Sequence, residues 1–246
     1  YSEIRVKTHS CSLNSTKGSK SEPNKDKVIK ERQILLNSHA NLKDMIMKRL
    51  TVILAMALIA ISAGAQTPKN VKYAYTEASD LNLIGKIIDT PNPYHRVDTV
   101  RYKGFTKGEN EQVRSSAGLA VLFKTNSSVI SVLADYGYMN RATNTMGISL
   151  RGYDLYIKKD GEWLYAASKA GGNGKEEENL VIIKDMDGSM KECMLYLPIY
   201  SEEYSVKIGV QEGAVLESIE SPFRHRIGIF GSSYTHGVST SRAGMS

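Results

Sequence analysis

Cysteine is almost missing from this chain. Its 246 residues hold only two, Cys11 and Cys193. An apolar stretch at Thr51–Ile61 separates them and reads as part of a cleavable leader, so the portion after it keeps Cys193 alone and can form no internal disulfide. A lone cysteine in an apolar run behaves as a small buried hydrophobe, and Cys193 is expected in a core. A long apolar run is also lacking: the core of that leader is about a dozen residues, short of the roughly twenty a bilayer-spanning helix needs. No group of His, Cys, Asp or Glu has metal-ligand spacing, so neither metal nor cofactor is expected. No lysine follows Gly237 in the pattern a phosphate-binding loop requires, which excludes Walker-type nucleotide chemistry. There is no internal repeat.

A charge excess is absent where it would matter. The whole chain carries +6, but residues 1–65 hold eleven Lys/Arg against five Asp/Glu, and residues 66–246 hold twenty-one of each. The basic balance belongs to the leader, and no nucleic-acid partner follows from it.

Lys48-Arg49, the apolar run Thr51–Ile61 and the small-x-small site Ala63-Gly64-Ala65 make a signal-peptide pattern over residues 45–65. It predicts export to the periplasm or beyond. No cysteine follows the site, so no lipid anchor and no stable membrane anchor are expected after cleavage. Residues 1–44 are polar, rich in Lys, Ser and Asn, and without sustained periodicity, which predicts disorder. Because a signal peptide works at a chain's N-terminus, translation is expected to start at Met45 or Met47, with residues 1–44 a non-native upstream extension.

From Tyr73 to Ser221 the chain reads as short strands between turn signals. The runs are Leu81–Ile88, Gly118–Phe123, Ser128–Ala134, Ile148–Ile157, Glu162–Ala166, Asn179–Ile183, Cys193–Pro198 and Tyr204–Val210. Asp160-Gly161 between two apolar alternations is a strong hairpin signal. Many short strands without a helical pattern predict a mainly β fold, an antiparallel jelly-roll-like sandwich over residues 66–221. Ala170–Glu178, glycine- and glutamate-rich, reads as an exposed loop. Tyr153, Tyr156, Trp163 and Tyr165 are candidates either for stacking on a sugar or for cross-strand packing. Asp154, between two of these aromatics, reads as a buried hydrogen-bonding anchor, with a binding carboxylate as the alternative.

The closing residues 222–246 carry the chemistry. Ile227–Phe230 is apolar around one glycine and suits a buried parallel strand. It runs into Gly231-Ser232-Ser233-Tyr234-Thr235-His236-Gly237, a turn with glycines at both ends. A strand ending in a sharp turn lifts a hydroxyl clear of a sheet as a nucleophile, which makes Ser233 the candidate. The alternative for Ser233 is a turn serine capping the next helix.

Gly152-Tyr153-Asp154-Leu155-Tyr156 resembles the signature of the GxDLY domain, a β-sandwich found before SGNH/GDSL-type esterase domains. Leu195–Tyr200 and Val206–Val210 resemble its later strands. Gly231–Gly237 is similar to the first block of the SGNH hydrolases, with Ser232 in place of the acidic residue of the GDSL name, and Arg242-Ala243-Gly244-Met245 matches a further feature after that block.

The resemblance implies that residues 222–246 open an α/β, flavodoxin-like hydrolase domain. Ser233 would be its nucleophile and one backbone oxyanion donor, acting on a small acyl ester or an acylated carbohydrate. The family's base and orienting acid come from an Asp-x-x-His near the far end of the domain. None of the five histidines here lies in one. His236 sits inside the nucleophile turn and is not expected to be the base, and His225 reads as a surface or linker residue. The chain is thus expected to be the front part of an exported esterase, inactive by itself. A carbohydrate-binding or docking sandwich is the competing reading.

Overall fold

A computed structural model describes residues 30, 33, 36–39, 41–51, 70–141, 143–171 and 179–245. Residues 1–62 and 63–246 form two separate units. In the first, residues 30, 33, 36–39 and 41–51 are all helical and exposed, so helix is already present within the stretch expected to be disordered up to residue 44. Most of the upstream segment, the apolar leader core and the Ala63–Ala65 site lie outside the described residues.

Among its described residues the second unit has ten strands: β1 (Tyr73–Glu77), β2 (Asn82–Ile84), β3 (Ala120–Thr125), β4 (Ile130–Met139), β5 (Gly152–Lys159), β6 (Glu162–Ala170), β7 (Leu180–Ile183), β8 (Lys191–Tyr196), β9 (Ser201–Gln211) and β10 (Leu216–Ser218). Three short α-helices accompany them: α1 (Lys107–Gln112), α2 (Gly147–Arg151) and α3 (Ser233–His236). One sheet runs β1-β9-β4-β7. The other runs β10-β3-β8-β5-β6, with β2 on the same edge of β3 as β10. Every pairing among the described residues is antiparallel.

Alternation places the core. Ile130, Val132 and Ala134 of β4 and Val206 and Ile208 of β9 meet Val121 and Phe123 of β3, Leu155 of β5 and Leu195 of β8 in one buried cluster between the sheets. Each such side chain contributes about 1.5–3 kcal/mol by leaving water. β3 is apolar on both faces because its outward residues are covered too: Ala120 and Leu122 form a second cluster with Met194, lined by Tyr156, Trp163 and Tyr196. Cys193 is fully buried in the main core, as its sequence context predicts.

The Asp160-Gly161 turn closes the β5–β6 hairpin, with φ of 53° and 87° at the two residues. Both values are positive, as the type I′ turn preferred in such hairpins requires. Asn126 and Ser127 connect β3 to β4 and so carry the chain from one sheet to the other, and the Asn126 side chain accepts from the Val215 amide.

Three sequence readings are corrected. Ile148–Ile157 is not one strand: residues 147–151 are helical, and β5 begins at Gly152. A Cβ at Gly152 would meet the Ile148 carbonyl oxygen at 1.8 Å, so only glycine fits this sharp change from helix to strand. In Leu81–Ile88 only Asn82–Ile84 is strand. Ile227–Phe230 is neither buried nor a strand: Ile227 is 82% and Phe230 86% exposed. A parallel strand is held by neighbours on both sides, and none flanks this segment among the described residues.

Candidate functional site

Ser233 is the first residue of α3, and its side chain is exposed. The helix follows Ser232 in extended conformation, lasts one turn, and ends at Gly237 with φ of 99°, where the Gly237 amide bonds back to the Tyr234 carbonyl. Ser232, not Ser233, occupies the capping position, and its side chain makes no cap bond. Ser233 therefore does not cap this helix. Its hydroxyl has no hydrogen-bond partner among the described residues. Its amide lies in the first turn, where helix N–H groups lack intrahelical acceptors and favour negative charge.

His236, three residues on, is occupied elsewhere. Its Nε2 lies 2.9 Å from the Ile199 carbonyl oxygen, 3.0 Å from Ser115 Oγ and 3.3 Å from Arg96 Nη2. The ring stacks on Tyr200, with centroids 4.4 Å apart. The Ile199 carbonyl can only accept, so Nε2 carries the proton and donates. Burial, then the neighbouring Arg96 guanidinium, push the imidazole down to about 4. This ring is a structural plug in the sandwich and is not placed to deprotonate Ser233.

The residues after α3 stay on the sandwich. Ser149 of α2 donates to the Thr240 carbonyl. Val238 and Ala243 join Ala117, Leu150, Ile199 and Tyr200 in a third apolar cluster. Beyond it, Asp154 is wholly buried on the outer face of β5. Its Oδ1 accepts from Ser168 Oγ at 2.6 Å, and its Oδ2 accepts from the Gly244 amide at 2.9 Å. Arg242 Nε lies 3.1 Å from the same Oδ2, off the hydrogen-bond axis, and so makes an ion pair. The guanidinium then covers the Tyr165 ring, 4.6 Å from its centroid. Asp154 is thus an anchor, and what it anchors is the Arg242–Gly244 segment.

The aromatics are mostly committed to packing. Tyr153 is fully buried, its hydroxyl 3.0 Å from that of Tyr136. Tyr156 meets Tyr165 and Tyr196 edge-on, at 5.9 and 5.7 Å. Tyr165 is half exposed, with Arg242 across its face. His225 is exposed in the linker, as expected, and helps line a groove of about 620 Å³ between residues 82–89 and 221–228. No group of His, Cys, Asp and Glu among the described residues could hold a metal.

The arrangement that gives Gly152, Asp154, Leu155 and Tyr156 separate jobs is matched at the level of the whole domain. The family model described as GxDLY, the N-terminus of SGNH-hydrolase-type esterases, covers residues 71–216. The chain belongs to this family. A crystal structure described as that of a GDSL-like lipase from Bacteroides ovatus is 36% identical, with a TM-score of 0.66 over 70% of this chain and 51% of that one. The chain therefore spans about half the length of that relative. The salicylyl-acyltransferase SsfX3 of a tetracycline biosynthetic pathway also aligns, at 17% identity and a TM-score of 0.43, over 63% of this chain and 43% of its own. That likeness is too remote to bear on function. No curated protein sequence matches significantly. Family membership relates the chain to the SGNH/GDSL hydrolases, a lipase- and esterase-like group.

Proposed function

We propose that this chain is the N-terminal part of an exported SGNH-type serine esterase, with Ser233 as its nucleophile. The observation that carries the reading is the position of Ser233. It is an exposed serine with an unengaged hydroxyl, at the first position of a helix, directly after a GxDLY sandwich. Ser233 Oγ would attack the carbonyl carbon of an acyl ester, and the alcohol would leave with a proton. The resulting acyl-enzyme would be cleared by water. The Ser233 amide would donate to the oxyanion, an interaction worth roughly 3–4 kcal/mol of barrier. With His236 engaged by Ile199, the general base would be a residue other than His236. Acetylated carbohydrate is the substrate class to try first. The leader pattern at residues 45–65 supports export.

In the protein carrying a complete hydrolase domain, Ser233→Ala should abolish p-nitrophenyl acetate turnover and leave the fold intact. Retained turnover would remove Ser233 from the site. The 246-residue chain itself should be inactive; hydrolysis by it that is lost on Ser233→Ala would overturn that part of the reading. The half-exposed Tyr165 keeps a carbohydrate-binding sandwich in play, and glycan-array binding by this chain would support that alternative.

A further inference from the structure

On the C-terminal side of Ser233 the sandwich holds the nucleophile segment at three separated points. His236 plugs into the Ile199–Tyr200 corner. Thr240 accepts from Ser149. Gly244 and Arg242 close on Asp154. On the N-terminal side, residues 221–232 are exposed and belong to no strand.

We propose that Asp154 is a positioning residue for the nucleophile turn, and that the sandwich forms a structural half of the esterase site. This rests on Ser233 being the nucleophile. Asp154 has no exposed surface. A carboxylate taken so far from water must be paired and hydrogen-bonded, or it costs several kcal/mol. One of its partners, Ser168, is its cross-strand neighbour on β6. The other two, the Gly244 amide and Arg242, belong to the segment that carries Ser233. The buried charge is satisfied only when that segment is seated, and the segment's end is fixed only while the charge is there.

The fit is close. A Cβ at Gly244 would meet the Tyr156 ring at 2.9 Å and Asp154 Oδ2 at 3.1 Å. Tyr156 closes the clamp from the side, its ring against Gly244. Asp154 and Tyr156 share the outer face of β5, while Tyr153 and Leu155 point into the core. The period-two alternation of a strand thus lets one short motif hold the core and the neighbouring segment together. The purpose of such a clamp is geometric: a misplacement of about 1 Å at a reacting group can cost roughly a hundredfold in rate.

Amide hydrogen exchange on the 246-residue chain tests this, with the Gly244 amide as direct reporter and β3 and β9 as internal controls. Asp154→Asn keeps the shape and removes the charge. Arg242→Met opens the clamp from the solvent side without touching the core. In both variants the amides of residues 237–245 should exchange at least about tenfold faster, with β3 and β9 unchanged. If Asp154→Asn also strips protection from β3 and β9, Arg242→Met decides. Wild-type exchange at 237–245 in Arg242→Met overturns the clamp.

In the protein with a complete hydrolase domain, Asp154→Asn should lower kcat by at least about tenfold and leave KM within about twofold. An unchanged kcat overturns the positioning role. Turnover surviving Ser233→Ala would instead sink the nucleophile assignment, and the exchange result would stand.

Discussion

Acidification should loosen the nucleophile segment well before it unfolds the sandwich, because His236 can be seated only as a neutral ring. The ring is stacked on Tyr200, and its Nε2 proton is directed at the Ile199 carbonyl. Arg96 stands 3.3 Å away, itself fixed to Ser115 and Gln112 and pushed down to about 10 by burial. A second proton on the imidazole would put two cations side by side in a poorly solvated corner. A free histidine takes up its proton near pH 6.5, whereas the seated one does so at about 4.

Between those values the released segment binds more protons than the seated one. Docking therefore strengthens as pH rises. Its full strength is present above about 6.5 and is lost as pH falls towards about 4. From pH 7 to pH 5 the loss is about 2 kcal/mol, or a rise of roughly twentyfold in the released population. Proton NMR of the His236 ring across about pH 4–8 reads the midpoint directly, and exchange at residues 237–245 reads the release. Arg96→Gln should raise the midpoint. A wild-type midpoint within about half a unit of 6.5 would refute the reasoning.

Two further outcomes follow from buried groups in the sandwich. Burial pushes the Cys193 thiol up to about 12, so Cys193 in the native protein should not be labelled by a thiol reagent and should be so only on unfolding, as read by peptide mapping that separates it from Cys11; labelling of Cys193 at free-thiol rates would show that the core is open. Glu203 is fully buried, with Ser116 donating to it, and its burial raises its pKa well above the usual carboxylate range. The folded protein holds that proton more tightly than the unfolded chain, so stability from this group is lost as pH rises through the folded value. Glu203→Gln should melt at the same or a higher temperature than wild type, most visibly at alkaline pH; a clear loss of stability there would contradict a protonated Glu203.

Much of the sandwich was legible because its signals are local. Asp160-Gly161 specified a turn, and the short apolar runs at Ser128–Ala134 and Tyr204–Val210 specified strands. Asp154 was legible as an anchor, because an acid between aromatics on a strand has few other uses. Its partners were not: Gly244 lies ninety residues away, and no periodicity links them. Helix α1 went unread although its signal is present, since Thr106 and Glu109 form a reciprocal capping box of the kind that marks a helix start. Ile227–Phe230 failed for the opposite reason: its composition asks for burial that its surroundings do not supply.

The docked segment also bears on where this protein can be cut. A break after residue 221 falls in exposed, irregular backbone and appears harmless by composition. It would nevertheless leave the Asp154 carboxylate facing water without Arg242 or Gly244, and uncover the apolar floor at Leu150 and Ile199. A cut that keeps these contacts would therefore fall after Gly244, on the far side of Ser233. Recombination between relatives would be expected to exchange the sandwich and the serine turn together, as a single heritable block.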